Sequence, residues 1–260
     1  MKHQAKSKTG YAIPLVLSFL CIAIFGVSAS SGLSSKDSQA TILSMSRPAV
    51  SVETQADSPL RVSQINTDSL TAYIPEVELT LTNVSTYPIS AYAVRFDVLG
   101  EKWQKGGVDL SNAISVQAIF QPGQFKQVTL GDGVRYSDPI KVIKIIIDFV
   151  EFTDGVTWGP DGFQSGEKLA GMRVGARAAL KLFNKVLKSG GPVAVISSIE
   201  SNAADVIPPS NRSPEWVNGF QLGVSAVRER LRHSYIDHGS TQIETEIRRP
   251  FDASGWRRVQ

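Results

Sequence analysis

Four carboxylates fall within the fifteen residues of DFVEFTDGVTWGPDG, from Asp148 to Gly162: Asp148, Glu151, Asp154 and Asp161. Side chains of this type could do two kinds of chemistry. Oxygen ligands at alternating positions of a short loop hold Ca²⁺, and two carboxyls facing across a cleft serve as general acid and base. The spacing supports neither. Intervals of three, three and seven residues match no helix-flanked calcium loop, which closes on a glutamate. On a strand, residues three apart point to opposite faces, so Asp148 and Glu151 converge only if a bulge intervenes. The local pattern predicts a turn instead. Asp154-Gly155, between the apolar runs VEF and VTW, reads as a two-residue hairpin turn in which both residues take positive φ. Trp158, just beyond it, is expected to face a core.

Other reactive side chains are sparse. The histidines are His3, His233 and His238, and the last two, five apart, would stand about 140° apart on a helix, which suits no shared metal. No nucleophile elbow, zinc-protease helix or phosphate-cradling glycine loop is present. The sequence therefore assigns no catalytic residue, no cofactor and no metal. An enzyme assembled from dispersed residues is the remaining catalytic alternative. Cys21 is the only cysteine, preceded by Phe19 and Leu20 where a lipid-attachment site needs small residues. Asn83-Val-Ser and Asn211-Arg-Ser are glycosylation acceptors in a host that modifies such sites.

One segment carries a surface chemistry. Arg177, Lys181, Lys185 and Lys188 follow at intervals of four, four and three, a basic ridge beside an apolar stripe of Leu169, Met172, Ala176, Leu180, Phe183 and Leu187. Such a helix either rests on anionic lipid with its apolar side down or docks on a partner with its basic rim solvated. A second stripe, Trp216, Phe220, Val224, Val227, Leu231 and Tyr235, supplies a partner within the chain and favours docking. Gly171 and Gly175, four apart, permit a close helix crossing with this chain or a second copy.

The elements that must position these residues follow from periodicity. EVELTLT and ISAYAVRFDV alternate apolar and polar residues, and further short runs separated by QPGQ and DGVRYSDP lead to the apolar IKVIKIIIDFVEF. Short strands with no helical pattern between them predict an antiparallel β-sandwich over residues 60–159. Helical periodicity predicts a region over 164–238, its first helix ending at Gly190-Gly191-Pro192 and a later one capped by Ser213 with Pro214 at the first turn. The fold class is thus β+α, with two or three amphipathic helices after the sandwich. Residues 239–260 read as a polar, disordered tail, and 30–58 as a flexible Ser-rich tether, with an ordered strand in AVSVETQ left open.

Lys2, His3, Lys6 and Lys8 precede Tyr11–Ala29, nineteen residues without a charge, with Val27 and Ala29 in the small-residue pattern of a cleavage site. Residues 1–29 are expected to be a signal peptide, or else an uncleaved anchor holding the chain at the membrane. Residues 57–163 carry 8 Lys/Arg against 13 Asp/Glu, whereas 164–260 carry 14 against 9, so an acidic middle precedes a basic end. No nucleic-acid-binding module accompanies these charges.

LTLTNVSTYPISAYAVRFDV, QPGQ and IDFVEFTDGVTWG together resemble exported bacterial proteins of unknown function with an immunoglobulin-like sandwich, over residues 76–159. The resemblance implies a fold and an exported location. The expected function is that of a non-catalytic interaction module of the cell envelope or extracellular space, with a protein or glycan partner, and membrane-surface association through the basic helix as the alternative.

Overall fold

The computed structural model describes residues 47–53, 55–112, 118–201 and 206–249. The expected signal or anchor, most of the tether and the last eleven residues lie outside them. Among the described residues eight strands precede the helices: β1 Ala49–Glu53, β2 Leu60–Asn66, β3 Val77–Asn83, β4 Ile89–Leu99, β5 Gln104–Asn112, β6 Phe125–Leu130, β7 Val142–Phe152 and β8 Thr157–Trp158. One sheet runs β1-β7-β4-β5, with β8 beside the end of β7; the other runs β2-β3-β6. The alternation seen in the sequence places Val77, Leu79 and Leu81 opposite Tyr92, Val94, Phe96 and Val98, with Ile143, Ile145 and Phe120, in one core shared by both sheets.

The first sheet is buried on its second face too. Ala91, Ala93 and Phe149 lie there under Leu169, the first apolar residue of the helical region. This double burial explains why β4 and β7 are the most apolar strands: each has a layer on either side. Asn83, at the end of β3, is fully buried and donates through its side-chain amide to the carbonyls of Tyr87 and Phe120, at 2.9 and 3.2 Å. Its amide is thereby committed to the fold and is closed to a glycan.

Two expectations need correction. AVSVE is strand β1, paired in parallel with residues 142–146 of β7, so an ordered strand lies within the expected tether. Parallel pairing requires no local turn, and the pattern there is too short to distinguish from polar linker. Likewise Ser240–Gln242 forms a 3-10 turn and Ile243–Arg248 a helix, α3, inside the expected polar tail. Only Ile243 and Ile247 are buried there, and two apolar residues in six give little periodicity.

The helices are α1 Ser165–Glu200 and α2 Pro214–His238. α1 is broken at Gly191, whose φ of 71° is open to glycine but costly for other residues, and Pro192 starts the next helical segment. That break turns the chain back, so α2 starts beside the beginning of α1 and runs parallel to it. The contact is backbone to backbone. A Cβ on Gly219 would stand 1.9 Å from the Lys168 carbonyl, one on Gly223 2.1 Å from that of Met172, and one on Gly175 2.1 Å from that of Phe220. Gly171-x-x-x-Gly175 thus meets Gly219-x-x-x-Gly223, small residues clearing space for close approach. Phe183, Trp216, Phe220, Val224, Val227 and Leu231 fill the core around that seam, closed by α3. Ser213 caps α2, accepting from the Trp216 N–H at 3.2 Å, with Pro214 in the first turn as expected. No helix among the described residues is long and apolar enough to cross a membrane.

Candidate interaction site

Each carboxylate of the acidic stretch has a local partner. The β4–β7 register skips at Asp148, between Phe149 opposite Ala93 and Ile147 opposite Val94. This bulge overturns the opposite-face expectation, because it brings Asp148 and Glu151 both to the helix-covered side. They serve different partners there. Asp148, 1% exposed, accepts the backbone N–H groups of Gly162 at 3.1 Å and Phe163 at 3.2 Å. Glu151 accepts from Arg173 and from Ser90, tying the sheet to α1. Asp161 accepts the N–H groups of Ser165 and Gly166 at 2.5 and 3.2 Å, capping α1 where the helix dipole favours an anion. Burial nonetheless holds its carboxyl above the usual range, against those two hydrogen bonds, with Asp148 adding like charge.

Asp154 belongs to the hairpin, whose loop differs from the expected one. Phe152 and Val156 close it, with the Phe152 N–H donating to Val156 O at 2.9 Å and the Gly155 N–H to Phe152 O at 3.0 Å. Three residues therefore form the loop, and only Gly155 among them has positive φ, at 87°. This is a turn followed by a left-handed glycine, the alternative that D-G leaves open when the preceding residue joins the loop. Asp154 instead accepts the Val156 N–H on its side chain at 3.0 Å.

Trp158 pairs with Val150 and packs at the border of the inter-sheet core, half-buried. Its indole N–H donates to Asp57 at 3.1 Å. Around it lies an open hollow of about 280 Å³, lined by Ala56, Asp57, Pro59, Val84, Phe152 and Trp158 among others. Ser58 and Ser85 complete a lining of mixed polarity. Val84 in that lining is 45% exposed, and two further apolar side chains beside Phe152 face solvent, Tyr87 at 59% and Val156 at 58%. Tyr87 meets Phe152 edge-on, ring centroids 5.9 Å apart. Asp154, Gly155 and Trp158 were legible in the sequence as a structural hairpin, whereas Asp57, Val84 and Tyr87 come beside it only through the folding of three connections onto one end. An exposed tyrosine in the turn NVSTYP was the available signal.

Arg177, Lys181, Lys185 and Lys188 are all exposed on α1. They form one face, and no hydrogen bond or ion pair among the described residues joins them to the hairpin. At about 100° per residue they lie on the side of α1 opposite Met172, Ala176, Ala179 and Phe183, which are buried. Of the expected stripe, Leu180 and Leu187 are half-buried. Comparison of the chain with family models, with curated proteins and with solved structures finds no match.

Proposed function

We propose that this protein is an exported, non-catalytic interaction module that engages a protein partner through the Trp158 end of its β region. The observation that carries the reading is three exposed apolar side chains gathered about Phe152: Val84 in the lining of the hollow, and Tyr87 and Val156 next to Phe152, stand 45–59% exposed. Exposed apolar side chains clustered with polar neighbours at one place favour a protein contact. Loops gathered at one end of a rigid β body are a common place for recognition.

Export is supported by the basic start and charge-free run of residues 2–29. An immunoglobulin-like assignment is supported by strand order. β2-β3-β6 facing β8-β7-β4-β5 follows the order A-B-E and G-F-C-C′ of such domains, with every pair in those two runs antiparallel.

The test is a double variant, Val84→Asp with Tyr87→Asp, in the native host. Both side chains are exposed, so the melting temperature should hold while the complex seen on a native gel of gently solubilised envelope shrinks to the free protein. A complex of unchanged size with the folded variant would remove the Trp158 end from the proposal.

A further inference from the structure

We propose that the solvent face of α1 carrying Arg177, Lys181, Lys185 and Lys188 is an electrostatic docking face for the phosphate headgroups of an anionic lipid bilayer. This goes beyond the Trp158 reading and rests on a different part of the molecule. From Lys168 to Ile199 the chain holds six Lys/Arg and no Asp or Glu. A solvated helix face ordinarily mixes signs, because opposite charges one turn apart stabilise it and like charges destabilise it. Here Arg177, Lys181 and Lys185 are like charges at successive intervals of four. None of the four ridge residues has a carboxylate within ion-pairing distance among the described residues. Three of the four glutamates of α2 and α3 are instead paired with that region's own cations, Glu229 with Arg232 and His233, Glu244 with Arg248, and Glu246 with Arg230 and Arg249.

Shape selects the class of partner. The four cations span eleven residue steps, about 16 Å along a straight helix, on the outward side of the helical region. A small anion would need a concave site with converging donors. A row on an outward face fits an extended, planar array of phosphates. The apolar side of α1 is meanwhile occupied by α2, so the contact is made through charge without insertion of leucines into the acyl region. A bilayer is the polyanion that the rest of the chain points to. In the uncleaved-anchor alternative Tyr11–Ala29 holds the chain at a membrane, and the eighteen steps from Ala29 to Arg47 reach at most about 60 Å, within which α1 can meet that surface.

The experiment uses the full chain reconstituted into vesicles of phosphatidylcholine, or of phosphatidylcholine with a minority of phosphatidylglycerol. A fluorescent donor is placed at Ser189→Cys in a Cys21→Ser background, with an acceptor on lipid headgroups. Energy transfer should be greater with phosphatidylglycerol at low salt, and lost at high salt because screening removes charge contacts. It should fall to the neutral-lipid value in Lys181→Glu with Lys185→Glu, since each surface cation contributes roughly five-fold in binding. Equal transfer in both lipids, or transfer that survives the double variant, would overturn the proposal. Loss of transfer on adding inorganic phosphate at constant ionic strength would assign the ridge to free phosphate and also overturn it.

Discussion

Arg173 of α1 grips Glu151 of β7 through both terminal nitrogens, at 2.9 and 2.6 Å, while the Ser90 hydroxyl donates to the same carboxylate at 2.6 Å. Both charged side chains are largely buried, at 16% and 10% exposure. This is the polar joint between the β region and the helical region. An acid that by type could belong to a catalytic pair is here held by an arginine and a serine.

Removing one partner leaves the other charge in a poorly solvated place. Glu151→Ala is expected to destabilise the protein by about 3–5 kcal/mol, a large part of a typical folding free energy. Glu151→Leu combined with Arg173→Met removes both charges and should recover most of that loss. Urea unfolding of the three proteins measures the difference, and a double variant no better than Glu151→Ala would show that the bond geometry itself is needed.

The α1–α2 seam gives a steeper response. Gly219→Ala would drive a methyl group into the Lys168 carbonyl, and neither backbone can yield without separating the helices. A cost of about 3 kcal/mol is expected, at the upper end for overpacking. Gly123→Ala is the control, with open space around the new methyl group but a φ of 72°, and should cost about 1–2 kcal/mol from backbone strain alone. Equal losses in thermal melts would contradict the close crossing.

How much of this was legible in the sequence follows from the range of each signal. The β3 and β4 alternation, the Ser213 cap and the Gly190-Gly191-Pro192 stop are written within a few adjacent residues, and each marks its element. β1 was left open and α3 was missed because they depend on distant partners, the edge of β7 and the α1–α2 groove. Gly171 and Gly175 were readable as a close contact, but their matching pair, Gly219 and Gly223, lies more than forty residues away. The Asp148 bulge left no sequence mark, and it reversed the expected direction of that carboxylate.

Acid sensitivity should concentrate at Asp132. Its carboxylate accepts from the Tyr136 hydroxyl at 2.6 Å and from Lys105 at 2.9 Å. Partial burial pushes its pKa upward, and these bonds with the Val134 N–H more than offset that, holding it below the ordinary value of 3.8. A carboxyl depressed in the folded state contributes stability that is present above its unfolded pKa and lost as pH falls through the folded one. Asp132→Asn should therefore lower the melting temperature at neutral pH by a few degrees and flatten its fall below about pH 4. A variant whose acid limb parallels the parent's would place the sensitivity elsewhere.

The hairpin loop makes a local prediction. Gly155 has a φ of 87°, so Gly155→Val should cost about 2 kcal/mol through left-handed strain in a β-branched residue. Asp154→Ala removes one side-chain acceptor for the Val156 N–H at an exposed site and should cost well under 1 kcal/mol. Chemical denaturation of the two variants orders them. The reverse order would contradict a left-handed glycine at position 155.

The most direct test of the Trp158 end as the binding surface is site-specific photo-crosslinking in cells of the native host. A photoreactive residue replaces Tyr87, exposed beside Phe152, in one strain, and Thr129, exposed on β6, in another. The account predicts one discrete, heavier adduct from position 87, found in the envelope or medium, and none from position 129. Equal labelling from both positions, or none from position 87, would contradict it.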